Sequence, residues 1–233
     1  NPATDPGDKG DPWGRFVHRP LPDDRGVPAS AQELGNRLVG RVDLADADSL
    51  GLAVADIRDR LEAEGGKLHA LVNNAGISPK LEGGGRPNSI DTPMQVWRQV
   101  FQVNFFAPIL LARGLFDELQ AGQGAIVNVT SIAGGRVHPF AGSAYATSKA
   151  ALSSLTREMA ADFGPHGIRV NSIAPGEIDT AILSPGTEGM IEDIPLGRLG
   201  ETSEVAEMIY FLCSNHASYV NGAEVHVNGG QHV

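Results

Sequence analysis

Cysteine is almost absent from this chain. Cys213 stands alone, which excludes a disulfide framework and a multi-cysteine zinc site. Basic residues are also scarce: 18 Lys and Arg face 28 Asp and Glu, for a net charge of -10. Counterion release on nucleic acid, or attraction to an anionic membrane, needs clustered cations that are not here. No run approaches the roughly 18 apolar residues of a membrane span. The amino terminus lacks a basic, apolar, small-residue secretory pattern, so a reducing, cytoplasmic setting is expected. The seven histidines, 18, 69, 138, 166, 216, 226 and 232, show no paired metal spacing, and no metal site is expected. A small-molecule partner remains, with neither nucleic acid nor membrane.

What is present is 233 residues with 41% hydrophobic content, enough for one core without staples. Residues 1–30 differ from the rest. They hold 6 of the 15 prolines, 4 glycines and 5 aspartates but only 7 hydrophobic residues, and are expected to be irregular or disordered. Residues 31–233 are expected to form a single domain. Asp5, Asp8 and Asp11 could imitate a calcium loop but lack the distal Glu ligand.

From Leu38 on, short apolar runs alternate with helical patterns, the mark of βα units on a parallel sheet with helices on both faces. Strands are predicted over 38–44, 68–76, 125–131, 168–176 and 222–230. Between Asp46 and Gly65, Leu50, Val54, Ile57 and Leu61 recur at intervals of 4, 3 and 4, which makes one apolar helix face. A largely buried helix is predicted from Thr92, as its cap, and Pro93, as its first residue, through Leu119. Further helices are predicted over 143–163, stopped by Gly164-Pro165, and over 202–214. Asn128-Val129-Thr130 matches a glycosylation sequon but falls in a predicted buried strand.

In open parallel sheets ligands bind at the carboxyl ends of the strands. The polar residues there are Asp43, Asn73-Asn74-Ala75-Gly76, Ser131 and Pro175-Gly176. Tyr145 and Lys149 are four apart on a predicted helix and so share a face. A free tyrosine titrates near about 10, and a neighbouring ammonium favours its phenolate, which makes a tunable proton donor. Ser131, 14 positions upstream at a strand end, could meet that tyrosine and hold a substrate oxygen. Taken singly, each of these residues is as well read as a turn or an ordinary helix pair.

Together, Asn73-Asn74-Ala75-Gly76, Asn104, Ser131, Tyr145-Ala146-Thr147-Ser148-Lys149, Pro175-Gly176 and the closing Val227-Asn228-Gly229-Gly230 resemble the short-chain dehydrogenase/reductase family from Leu38 to Val233. The Ser131 to Tyr145 interval is one residue longer than is common. The resemblance implies a three-layer Rossmann-like fold, NAD or NADP as cofactor, and interconversion of a ketone and a secondary alcohol. It implies that Tyr145 exchanges the proton and that Lys149 lowers its pKa and binds the nicotinamide ribose. Ser131 orients the carbonyl, and Asn104 holds a kinked helix and a water. By the same resemblance Asn73, Ala75 and Gly76 line the cofactor crevice, Asp43 and Leu44 contact the adenine, and Pro175, Gly176, Ile178 and Thr180 approach the nicotinamide amide. A homodimer or homotetramer is implied. The substrate walls fall at 78–88, 132–140 and 177–195, mostly small or apolar, as suits an uncharged ketone.

One family element is missing. No glycines stand at i, i+4 and i+6, the turn that brings backbone amides to a pyrophosphate. Gly83-Gly84-Gly85 sits in a loop with no helix pattern behind it. The omitted strands and helices need roughly 45 residues, whereas 37 precede Leu38 and only 29–37 read as a helix tail. The amino-terminal βαβ portion is therefore expected to be absent or rebuilt, and NAD(P)H binding by these 233 residues to be weak. An altered or incomplete reductase, a scaffold that has dropped its dinucleotide, and cofactor-free acid/base chemistry are the open alternatives.

Overall fold

The computed structural model describes residues 14–18, 38–81, 84–180 and 187–233. Strand β1 (Gly14–His18) pairs antiparallel with β2 (Leu38–Val42), from Gly14 opposite Val42 to His18 opposite Leu38. The strand predicted at 38–44 thus forms, but in a two-stranded ribbon and outside the parallel sheet. Apart from Gly14–His18, the segment 1–30 lies outside the described residues.

Helix α1 (Ala47–Ala63) starts at Asp46, whose carboxylate accepts from the Asp48 amide at 2.9 Å. Leu50 and Leu61 are buried, with Val54 and Ile57 packed against the same core, so the predicted stripe is the inward face. Strands β3 (Ala70–Asn73), β4 (Ala125–Val129), β5 (Arg169–Pro175) and β6 (Glu224–Val227) form one parallel sheet in that order.

Every residue of β4 is buried, because helices cover both faces. Its side chains alternate between two cores, as the strand period of two requires. Ile126 joins Leu71, Leu111, Leu115, Met159 and Val170 in one cluster. Val127 and Val129 join Ile173, Leu212 and Cys213 in the other. The helices on the first face are α1, α3 (Ala107–Gly114) and α5 (Ser143–Phe163); α6 (Thr202–Cys213) covers the second. Each wholly buried Leu or Ile contributes about 1.5–3 kcal/mol.

Asn128, in the middle of β4, is fully buried and both ends of its amide are bonded. Its Oδ1 accepts from Asn73 Nδ2 at 2.8 Å, and its Nδ2 donates to Thr156 Oγ1 at 2.9 Å. This sequon is therefore a link from β3 through β4 to α5, closed to glycosylation in the folded protein.

The helix predicted from Thr92 to Leu119 is interrupted. α2 (Met94–Phe101) begins one residue late: Pro93 holds the cap position and the Thr92 hydroxyl donates to the Asn88 carbonyl instead. A π turn (Gln102–Phe106) separates α2 from α3, and α4 (Phe116–Ala121) follows a break at Leu115. The π turn has a local cause. Pro108 has no amide hydrogen for the Asn104 carbonyl, and the Ala107 amide donates to Gln102, five residues back. Among the described residues no helix is long and apolar enough to cross a membrane.

Candidate active site

Three βα loops meet at the carboxyl end of the sheet, carrying Asn74–Gly76 after β3, Ser131 after β4 and Gly176–Thr180 after β5. Ser131 has an extended backbone (φ -172°, ψ 151°), and its Oγ accepts from the Ala133 amide at 3.2 Å, starting a one-turn 3-10 helix. Gly134 ends that turn against α5: a Cβ there would lie 2.8 Å from the Ala150 nitrogen. This close approach brings Ser131 to Tyr145, near enough for the serine hydroxyl to favour the phenolate.

Lys149 follows Tyr145 by one helical turn, with Nζ 5.8 Å from the centre of the tyrosine ring. Lys149 is only 3% exposed, and its ammonium donates to the Val129 carbonyl at 2.7 Å, at the end of β4. Burial pulls its pKa down to about 8. The phenol moves the other way. Burial pushes the Tyr145 pKa above the ordinary tyrosine value, the nearby Ser131 hydroxyl opposes that rise, and the charge of Glu177 adds to it. The net direction is upward, with desolvation the largest cause, and Tyr145 is a protonated donor at neutral pH.

Asn104 is fully buried and clamps the turn after β3. Its Oδ1 accepts from the Ile77 amide at 2.8 Å, and its Nδ2 donates to the Ile77 carbonyl and to Ser148 Oγ, each at 3.0 Å. The π turn aims this side chain, and its anchor on Ser148 ties the loop of Gly76 to the helix that carries Tyr145 and Lys149. Asn104, Gly76, Ser131, Tyr145 and Lys149 are thereby brought together.

The other predicted contacts are more scattered. Leu44 is 5% exposed and packs in the core, and Asp43 Oδ1 accepts from the Ala45 amide at 2.9 Å in a tight turn. Asn73 is engaged with Asn128, and Ala75 packs against the core. Pro175 ends β5, and Gly176 lies against the carboxyl-terminal turn, where a Cβ would meet Gln231 Oε1 at 2.3 Å and Asn228 Cβ at 2.6 Å. The closing Asn-Gly-Gly therefore serves as a backstop for the Pro-Gly loop. Ile178 bridges to Gly200, and Thr180 is exposed.

Three residues of the predicted substrate walls have partners that the sequence reading did not foresee. His138 Nε2 lies 2.6 Å from Glu177 Oε1, with both side chains about nine-tenths buried. The Lys80 ammonium donates to the Phe140 carbonyl and is close enough to feel the charge of Glu177. The walls expected to be small and apolar thus contribute an ionisable trio. The available signal was positional: His138 precedes Tyr145 by 7 residues, and Glu177 directly follows Pro175-Gly176.

This sheet, with a serine, tyrosine and lysine converging at its carboxyl edge, defines a Rossmann-like oxidoreductase. A sequence profile described as enoyl-(acyl carrier protein) reductase matches residues 18–232. The chain belongs to the short-chain dehydrogenase/reductase family of NAD(P)-dependent enzymes.

The protein FixR of Bradyrhizobium diazoefficiens is 61% identical over 202 residues, 86% of this chain and 72% of the relative. Galactitol 2-dehydrogenase (L-tagatose-forming) of Cereibacter sphaeroides is 37% identical over 86% of this chain and 79% of its own. Among solved structures, a short-chain oxidoreductase from Brucella ovis in complex with a partially ordered NAD is 69% identical, with a TM-score of 0.71 over 81% of this chain and 77% of that one. A 3-oxoacyl-[acyl-carrier protein] reductase from Brucella melitensis with bound NAD is 33% identical, with a TM-score of 0.76 over 87% and 74%.

Proposed function

We propose that this protein interconverts a ketone and a secondary alcohol, with Tyr145 exchanging the proton at the substrate oxygen. The observation that carries this reading is the convergence of Ser131 and Tyr145, close enough for the serine hydroxyl to act on the phenol, with Lys149 Nζ 5.8 Å from the centre of the tyrosine ring. Ser131 holds the carbonyl oxygen, and the protonated phenol donates to that oxygen during reduction. Lys149 and Asn104 position the pair and connect it to the loop of Gly76.

The described residues fit the nicotinamide half of a dinucleotide. Gly76 carries no side chain, and a Cβ there would sit 3.2 Å from both Asn104 Oδ1 and Lys149 Nζ, so an open backbone edge lies beside two polar groups. Lys149 is suited to the ribose hydroxyls, and the segment from Pro175 through Gly176 and Ile178 to Thr180 to the amide. The bound NAD or NADP supplies or receives the hydride. Asp43 is the candidate for the adenine end through its loop backbone, since the Leu44 side chain is turned into the core. NAD in the two Brucella relatives supports this assignment.

A small alcohol as substrate is supported by galactitol 2-dehydrogenase and by the cis-4-hydroxycyclohexanecarboxylate dehydrogenase of Sinomonas cyclohexanicum, 38% identical. A homo-oligomer belongs to the same proposal, with exposed Phe106 and Leu110 available for its interface. Incubation with deuterium-labelled NADH or NADPH and a panel of cyclic ketones tests the function. The label is expected on the carbinol carbon, and its absence with both cofactors would overturn the reading.

A further inference from the structure

Glu177 is held from three sides. Its amide donates to Gln231 Oε1 at 3.1 Å, its carbonyl accepts from the Gly200 amide at 2.9 Å, and its carboxylate meets His138. The Phe140 amide donates to His138 Nδ1 at 3.2 Å. The ring proton of the neutral imidazole is therefore on Nε2, and it is donated to Glu177 Oε1 at 2.6 Å.

A carboxylate has about four acceptor positions, and among the described residues only His138 hydrogen-bonds this one. Lys80, from the loop after β3, supplies the nearby positive charge. The three residues come from the three loops that wall the crevice. The Glu177 carboxylate is also near enough to Tyr145 for its charge to act on the phenol. A substrate with only hydrocarbon beside the reacting carbon would seal this carboxylate from water without replacing the lost hydrogen bonds, which is costly. A hydroxyl on the neighbouring carbon replaces them.

We propose that Glu177, fixed by His138, is a substrate subsite that accepts a hydrogen bond from a hydroxyl adjacent to the reacting carbon. The protein thereby selects vicinal diols and α-hydroxyketones over simple alcohols and ketones. This rests on the ketone and alcohol reading above. Because the Glu177 backbone is tied down on both sides, the acceptor is preorganised and little ordering accompanies binding.

The test compares trans-1,2-cyclohexanediol with cyclohexanol. Wild type is expected to favour the diol in kcat/KM by on the order of 10- to 100-fold, the range of one hydrogen bond to a charged group. Glu177→Gln keeps the size. With its carbonyl oxygen taken by His138 Nε2–H, the new amide presents a donor where the wild type presents an acceptor, and the preference is expected to vanish.

A second arm needs no turnover: the ring nitrogens of His138 are followed by NMR in histidine-labelled protein as each alcohol is titrated. The diol is expected to move the His138 signals at concentrations where cyclohexanol does not. Equal turnover of the two alcohols, or His138 signals indifferent to the diol, would overturn the subsite. If neither alcohol is oxidised, the function itself fails, and the NMR arm still decides the subsite.

Discussion

Lys149 Nζ donates to the Val129 carbonyl at 2.7 Å, and this bond joins α5 to the end of the central strand. The ammonium is held without a buried counter-charge among the described residues, and its pKa falls to about 8 for that reason. The site is therefore built at the expense of stability.

That cost has a pH signature. Below about pH 8 the lysine is charged in both folded and unfolded states, and the folded state carries the whole burial cost, on the order of 3 kcal/mol. As pH rises from about 8 towards the ordinary lysine value, the folded state loses its proton first and the cost disappears. Lys149→Met has no such group, although it leaves the Val129 carbonyl unbonded. Urea unfolding of both proteins at about pH 7 and about pH 10 is expected to show the wild type gaining relative to the variant at the higher pH, by roughly 3 kcal/mol at most. A difference that stays constant would count against a buried charged lysine.

Asn128 links two strands and a helix with its amide. Asn128→Ala is expected to cost about 2–4 kcal/mol, because it leaves the buried partners Asn73 and Thr156 each short of a hydrogen bond. A loss under about 1 kcal/mol in denaturant unfolding would show that water or rearrangement replaces the link.

Gly176 has no room for a side chain. In Gly176→Ala the new Cβ meets Gln231 and Asn228, so the carboxyl-terminal turn must move, at about 1–3 kcal/mol. Because Glu177 follows directly and hydrogen-bonds Gln231, substrate KM should rise more than kcat falls. Unchanged KM with unchanged melting temperature would contradict this packing.

Much of the architecture was legible in the residue pattern. The helix predicted over 143–163 is Ser143–Phe163, because its apolar stripe and its Gly-Pro stop agree. The alternating run at 125–131 is the buried central strand. Legibility ended where tertiary context overrides local preference. Nothing in the spacing of Leu38 to Val42 distinguishes a ribbon partner from a parallel strand, since the apolar pattern suits both. The π turn depends on one missing amide hydrogen at Pro108, which a helical periodicity count does not register.

The site divides in the same way. Ser131, Tyr145 and Lys149 are legible from spacing and strand-end position, Asn104 only from the family resemblance, and the four converge. The direction of the tyrosine pKa is not legible, because burial cannot be read from a four-residue interval. His138 and Glu177 both fall in the predicted substrate walls, but their pairing is not legible because they are 39 residues apart in sequence.

The central claim is that the Tyr145 hydroxyl is the acid that protonates the carbonyl. The direct test is single-turnover ketone reduction by Tyr145→Phe at saturating NADH or NADPH, with folding checked by circular dichroism. A fall on the order of 100- to 10,000-fold in the chemical step is predicted, the usual loss when a general acid is removed. A correctly folded variant that reduces ketone at the wild-type rate would contradict it.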